Sequence, residues 1–130
     1  MRIARFTVAD QIAYGVVGGE PEDPASLTVT AMDGHPFAPF TLTSAVFPRS
    51  EVRLLPPVLP SKIIGIGKNY ADHAREMGGE APDSPVMFLK PSTSVVGDGE
   101  AIMLPVQSQQ VEFEGELAVV IGRLAREVPE

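Results

Sequence analysis

Apolar and polar positions alternate over short stretches in residues 1–55, which is the pattern of strands rather than helices. Ile3, Phe6 and Val8 lead into Gln11-Ile12-Ala13-Tyr14-Gly15-Val16-Val17, and Gly18-Gly19 marks a turn. Two strands joined through Ala9-Asp10 predict a hairpin. Residues 20–24 are acidic and carry prolines, hence a loop. A further strand is expected over residues 27–31, and Asp33-Gly34 reads as a turn. Pro36, Pro39 and Pro48 are expected to break any longer element between them. Residues 52–60 read as a strand followed by a proline-stiffened connector. That connector divides the chain into a small β-rich unit, residues 1–55, and a second unit, residues 56–130.

The second unit opens on a short buried strand, Lys62-Ile63-Ile64-Gly65-Ile66-Gly67. A helix of about two turns follows. Asn69 is its expected N-cap, Asp72 lies near its positive end, and Gly78-Gly79 stops it. Residues 80–85 form an exposed loop, and residues 86–90 form a strand stopped by Pro91. After the Gly97-Asp98-Gly99 turn, residues 101–104 are strand-like. An apolar, largely β-branched run at residues 117–121 then predicts a strand that begins in an acidic stretch. The chain leaves that strand and ends on Pro129-Glu130, which resembles the opening of a helix, so it reads as part of a longer protein.

On a strand, Glu112, Glu114 and Glu116 share one face, roughly 7 Å apart from neighbour to neighbour. Three carboxylates beside an apolar run repel one another unless a cation or hydrogen-bond donors compensate. Two readings are open: a solvated acidic strand end, or a site for a hard divalent ion held by carboxylate oxygens. His73 and Glu76 stand three apart on the helix and share a side. A carboxylate next to an imidazole can fix its orientation for general-base work, and the same spacing also makes ordinary surface pairs. Gly65-Ile66-Gly67-Lys68-Asn69-Tyr70 begins like a dinucleotide fingerprint, but Tyr70 replaces the third glycine and the βαβ rhythm is missing. A tight strand-to-helix turn explains these glycines better. His35, in a turn, reads as a plain loop residue.

Composition narrows the function classes. Seventeen acidic against ten basic residues give a net charge of −7, which argues against nucleic acid and anionic membrane as partners. There is no cysteine, so disulfides and thiolate metal sites are excluded. The N-terminus lacks the apolar core of a signal peptide, and no apolar run approaches a membrane span. A soluble cytoplasmic protein is the expectation.

Three segments change the picture. Ile66-Gly67-Lys68-Asn69-Tyr70-Ala71-Asp72-His73 with Glu76-Met77 resembles the G-x-N-Y-x-x-H…E segment of the fumarylacetoacetate hydrolase superfamily. Pro85-Val86-Met87-Phe88-Leu89-Lys90-Pro91 resembles its P-x-x-F-x-K-P stretch, and residues 114–122 resemble its E-x-E-L-x-V-V-x-G strand. The resemblance runs from about Lys62 to Gly122. Residues 1–55 are more loosely similar to the N-terminal region of many bacterial members.

The resemblance implies an α+β fold that is mostly β: a mixed β-roll, here partial, behind a small N-terminal β-rich unit. It implies a homodimer. Glu114 and Glu116 would be metal ligands for Mg²⁺ (or Mn²⁺ or Ca²⁺), with Glu112 not counted among them. His73 and Glu76 would form a catalytic dyad on a lid segment. The family's third ligand, an aspartate, and its substrate-binding basic residues lie further along than Glu130. The implied substrate is a small-molecule 2-oxo acid of the acylpyruvate type. By the same resemblance, a cation would act as Lewis acid on it, and His73 would activate water for carbon–carbon hydrolysis. Isomerisation or decarboxylation of related diacids from aromatic catabolism is the alternative. A non-catalytic β-rich scaffold is the alternative of a different class.

Overall fold

The structure, a computed structural model, describes residues 1–129. Strands β1 (Arg2–Val8) and β2 (Gln11–Gly18) form the expected hairpin, closed by the pairing of Val8 with Gln11. Ala9 and Asp10 both take positive φ, 46° and 62°. That backbone suits a two-residue turn whose twist matches the strands it joins. Strands β3 (Thr28–Gly34), β4 (Phe40–Pro48) and β5 (Arg53–Leu55) complete a five-stranded sheet in the order β4-β3-β2-β1-β5. Every neighbouring pair in it is antiparallel. Pro39 and Pro48 do not prevent a long element; they bracket the nine-residue β4, with Pro48 its last residue. The strand lies at the sheet edge, where a missing N–H costs no ladder bond.

Register explains the core. Phe6 lies opposite Ala13 and Leu54, and Val29 lies opposite Val17 and Phe47. The alternation of a pleated sheet therefore puts these side chains on one face. Phe6 and Val29 are wholly buried there, with Val52, and Val8, Ala31 and Phe47 pack around them. The Phe6 and Phe47 ring centroids stand 6.0 Å apart in a tilted pair. Gly15 makes room for this packing. A Cβ at that position would sit 2.6 Å from both the Thr30 carbonyl oxygen and Val29 Cγ1, and 3.0 Å from the Phe6 ring.

Strands β6 (Ile63–Gly67) and β7 (Val86–Lys90) form a separate antiparallel pair. Gly65 faces Phe88 across it, and a Cβ on Gly65 would lie 2.4 Å from the Phe88 ring. Gly65 is thus a packing glycine inside a strand. The turn out of β6 is carried by Lys68, whose φ is +53°. Arg49 pairs with Asp98 at 2.8 Å and Arg53 with Glu100 at 3.3 Å, which ties the end of the five-stranded sheet to the turn after β7. The Gly97 N–H also donates to Glu100, at 2.9 Å.

Helix α1 (Ala71–Glu76) starts one residue later than an Asn69 cap requires. Tyr70 holds the N-cap position, with extended backbone and no side-chain cap bond. The first turn closes when the Ala74 N–H donates to the Tyr70 carbonyl, at 2.9 Å. The reversal at Lys68 uses up a residue, so the Asn69 side chain sits too early to meet the free N–H groups of the first turn. At the other end Gly78 has φ +77° and donates to the Arg75 carbonyl, while Gly79 donates to that of Ala74. This is the paired closure expected of a glycine stop.

Two expected strands do not form. Residues 101–104 and the acidic stretch with residues 117–121 are irregular, without ladder pairing among the described residues. Their composition favours a strand, but a strand exists only when its N–H and C=O groups meet a neighbour. Leu117 is 83% and Phe113 96% exposed, so apolar cover is lacking as well. The helix opening expected at Pro129-Glu130 falls on Glu130, which lies outside the described residues. No described helix is long and apolar enough to cross a membrane.

The fully buried Phe6 should be the residue the first sheet depends on most. Phe6→Ala in the complete protein is expected to cost about 3–5 kcal/mol through lost transfer energy and the cavity left behind. Urea unfolding followed by far-ultraviolet circular dichroism measures it.

Candidate active site

Helix α1 brings the two candidate groups together. It projects His73 toward the acidic stretch, with Nε2 3.4 Å from Glu114 Oε1. On its other nitrogen, Nδ1 lies 3.7 Å from Glu76 Oε2. One imidazole thus stands between two carboxylates, one from its own helix and one from a residue 41 positions on. Both distances are longer than a typical hydrogen bond, so the ring stands beside the two carboxylates without being clamped by either. The sequence separation of three predicted the Glu76 contact, because such residues share a helix side. Nothing local to the sequence predicts the Glu114 contact.

A second link between the same two segments comes from Tyr70. Its phenol oxygen accepts a hydrogen bond from the Leu117 N–H at 3.0 Å, across 47 residues. This residue was not among the expected site residues, although it stands three before His73 and so on the same side of the chain as it turns into α1. Asp72, expected near the helix start, pairs with Arg75 on the helix surface. Glu112 accepts a hydrogen bond from the Gln110 side chain at 2.6 Å and takes no part in the cluster.

The metal expectation has a mixed fit. In kind, the carboxylate oxygens of Glu114 and Glu116 suit a hard divalent cation. In number they fall short, because such ions take six or more oxygens and no group of three or more His, Cys, Asp or Glu among the described residues could hold a metal ion. His73 faces Glu114. The site is open: His73 is 43% exposed and the side chain of Glu114 59%. Two shallow surface depressions are lined by other residues, among them Leu59 and Val95 in one and Leu54 and Val96 in the other.

Comparison with known proteins settles the kinship. The family model described as fumarylacetoacetate (FAA) hydrolase, C-terminal, matches residues 62–130. The chain belongs to the fumarylacetoacetate hydrolase family. A second model, Rv2993c-like, N-terminal, matches residues 1–57. Protein Rv2993c of Mycobacterium tuberculosis is 46% identical over 129 residues, covering 99% of this chain and 49% of that protein. The chain therefore spans about half the length of that relative. The human mitochondrial oxaloacetate tautomerase FAHD2A is 45% identical over 84 residues, 64% of this chain and 27% of that protein. Among solved structures, a 2-hydroxyhepta-2,4-diene-1,7-dioate isomerase from Mycobacterium marinum superposes with a TM-score of 0.61 at 36% identity. That match covers 74% of this chain and 34% of the isomerase. The mostly-β architecture is common ground with such structures.

The position of His73 makes a spectroscopic prediction. In nitrogen–proton correlation spectra its side-chain signals should move in both Glu76→Gln and Glu114→Gln. A response to Glu76→Gln alone would mean that α1 does not meet the acidic stretch in solution.

Proposed function

We propose that this chain forms part of a divalent-metal-dependent enzyme acting on a small 2-oxo acid, with His73 as the group that takes and returns a proton. The placement of His73 between Glu76 and Glu114 carries this reading. A positioned imidazole with one nitrogen facing an orienting carboxylate is the arrangement general acid–base catalysis requires. Glu76 orients the ring, and the opposite nitrogen points to the side where Glu114 lies. Glu114 and Glu116 would be two ligands of Mg²⁺, Mn²⁺ or Ca²⁺, the remaining ligands coming from outside this chain's acidic cluster. When bound, such a cation supplies Lewis-acid polarisation of a 2-oxo group.

Proton transfer beside a carbonyl is the reaction best supported, as keto–enol tautomerisation or double-bond isomerisation of a 2-oxo or 2-hydroxy diacid. Its support is the tautomerase and isomerase activities in the names of two relatives, which match 64% and 74% of this chain. Hydrolysis of a carbon–carbon bond in an acylpyruvate is the second reading, favoured by the family's own description. In that case His73 would deprotonate water instead of carbon. Residues 1–55 would act as a small N-terminal β-rich domain and residues 56–130 as the first part of a catalytic domain. We further propose that the complete fold is a mixed β-roll in a homodimer. The bare apolar side chains of Val119, Val120 and Ile121 are compatible with strands that pair there from outside the described ladders.

Kinetics on the complete protein separate these readings. His73→Ala should slow enol-to-keto conversion of oxaloacetate, followed by loss of enol absorbance, by ~10²–10⁴-fold, the usual contribution of a positioned base. Glu76→Gln should cost less, because it keeps the shape while losing the charge. A larger loss on an acylpyruvate than on oxaloacetate favours the hydrolase, and normal rates on both would remove His73 from the chemistry. Separately, calorimetric titration with Mn²⁺ should show weaker binding in Glu114→Ala and in Glu116→Ala. Unchanged affinity in both variants would exclude the pair as ligands.

A further inference from the structure

We propose that Tyr70 is a positioning residue that latches α1 onto the acidic stretch and so sets where His73 stands. The inference rests on the reading of His73 as the proton-handling group. Two contacts join the segments: the Tyr70 phenol to the Leu117 N–H at 3.0 Å, and His73 Nε2 to Glu114 at 3.4 Å. The residues ascend on one segment as they descend on the other, 70 to 117 and 73 to 114, so the two run in opposite directions. One contact would leave α1 free to pivot in any direction about it, whereas two leave only rotation about the line that joins them. The His73 contact is loose by hydrogen-bond standards and leaves the Tyr70 bond as the tighter of the two.

The local structure suits this role. Tyr70 occupies the N-cap position of α1 but makes no capping bond with its side chain, so the phenol is free to reach outward. The Leu117 N–H has no ladder partner among the described residues, and Tyr70 supplies the acceptor it needs. Leu117 directly follows Glu116, so the latch grips the backbone next to the candidate ligand pair without using either carboxylate. A six-residue helix cannot hold its own direction on a surface, and α1 buries only Ala74. Its aim must come from outside contacts.

Tyr70→Phe in the complete protein removes only the phenol oxygen. Amide exchange at Leu117 should quicken by roughly 2- to 10-fold, the range one net hydrogen bond spans. The same factor should appear as a loss in kcat on oxaloacetate or an acylpyruvate, with KM and the thermal midpoint unchanged. Mn²⁺ affinity should also hold, since both carboxylates remain. Leu117 exchange equal to wild type would overturn the latch, whatever the kinetics. A fall in kcat that comes with a lower thermal midpoint would overturn it too, because Tyr70 would then be a stability residue. If the wild-type protein turns over neither substrate, the proposed function fails, and the Leu117 exchange and the His73 ring signals in Tyr70→Phe still decide the latch.

Discussion

The Phe6 ring lies across the bare backbone of Gly15, and the five-stranded sheet is organised around that contact. Phe6 is in the middle of β1, the strand that pairs with both β2 and β5. Any Cβ at position 15 would press on the Thr30 carbonyl, which is backbone and cannot swing away. The close approach of glycine and ring therefore sets the spacing of β2 and β3 beneath Phe6. It also leaves room for Val29 and Phe47 to pack around Phe6 on the same face. Gly65 and Phe88 repeat the device in the β6–β7 pair, where a ring again covers a strand glycine.

Two ion pairs tie the end of the first sheet to the segment that follows β7. Arg49 and Arg53 leave the first sheet to meet Asp98 and Glu100 in the turn that follows β7. All four side chains are partly exposed, so each pair contributes little to stability on its own. Their effect is to fix direction: the segment that leads into the acidic stretch is anchored at its start. From there the stretch meets α1 through His73 and Tyr70. The site is thus assembled from two segments, neither of which has much apolar burial. Low local stability would suit the proposed site if these segments close over a substrate.

Much of this chain was legible without coordinates. The hairpin at Ala9-Asp10, the strands at residues 63–67 and 86–90, and the glycine stop after α1 all follow from local chemistry. Turn residues, β-branched runs and positive-φ positions act within a few residues of themselves, so the order of residues is enough to reveal them. The pairing of His73 with Glu76 belongs to the same class, being a matter of helical spacing. Family kinship was also legible, because three short motifs stand in order between Lys62 and Gly122.

The remainder depended on tertiary structure. Residues 117–121 have the composition of a strand and form none among the described ladders, since pairing needs a partner that composition does not supply. Asn69 has the chemistry of a cap but lies one residue early, because the reversal falls on Lys68 rather than on a glycine. The meeting of His73 with Glu114 and of Tyr70 with Leu117 spans more than forty residues. Such contacts are set by where the intervening strands and turns carry the backbone, and no local spacing rule reaches that far. The sequence by itself determined which side chains were available for chemistry; folding decided which of them face one another.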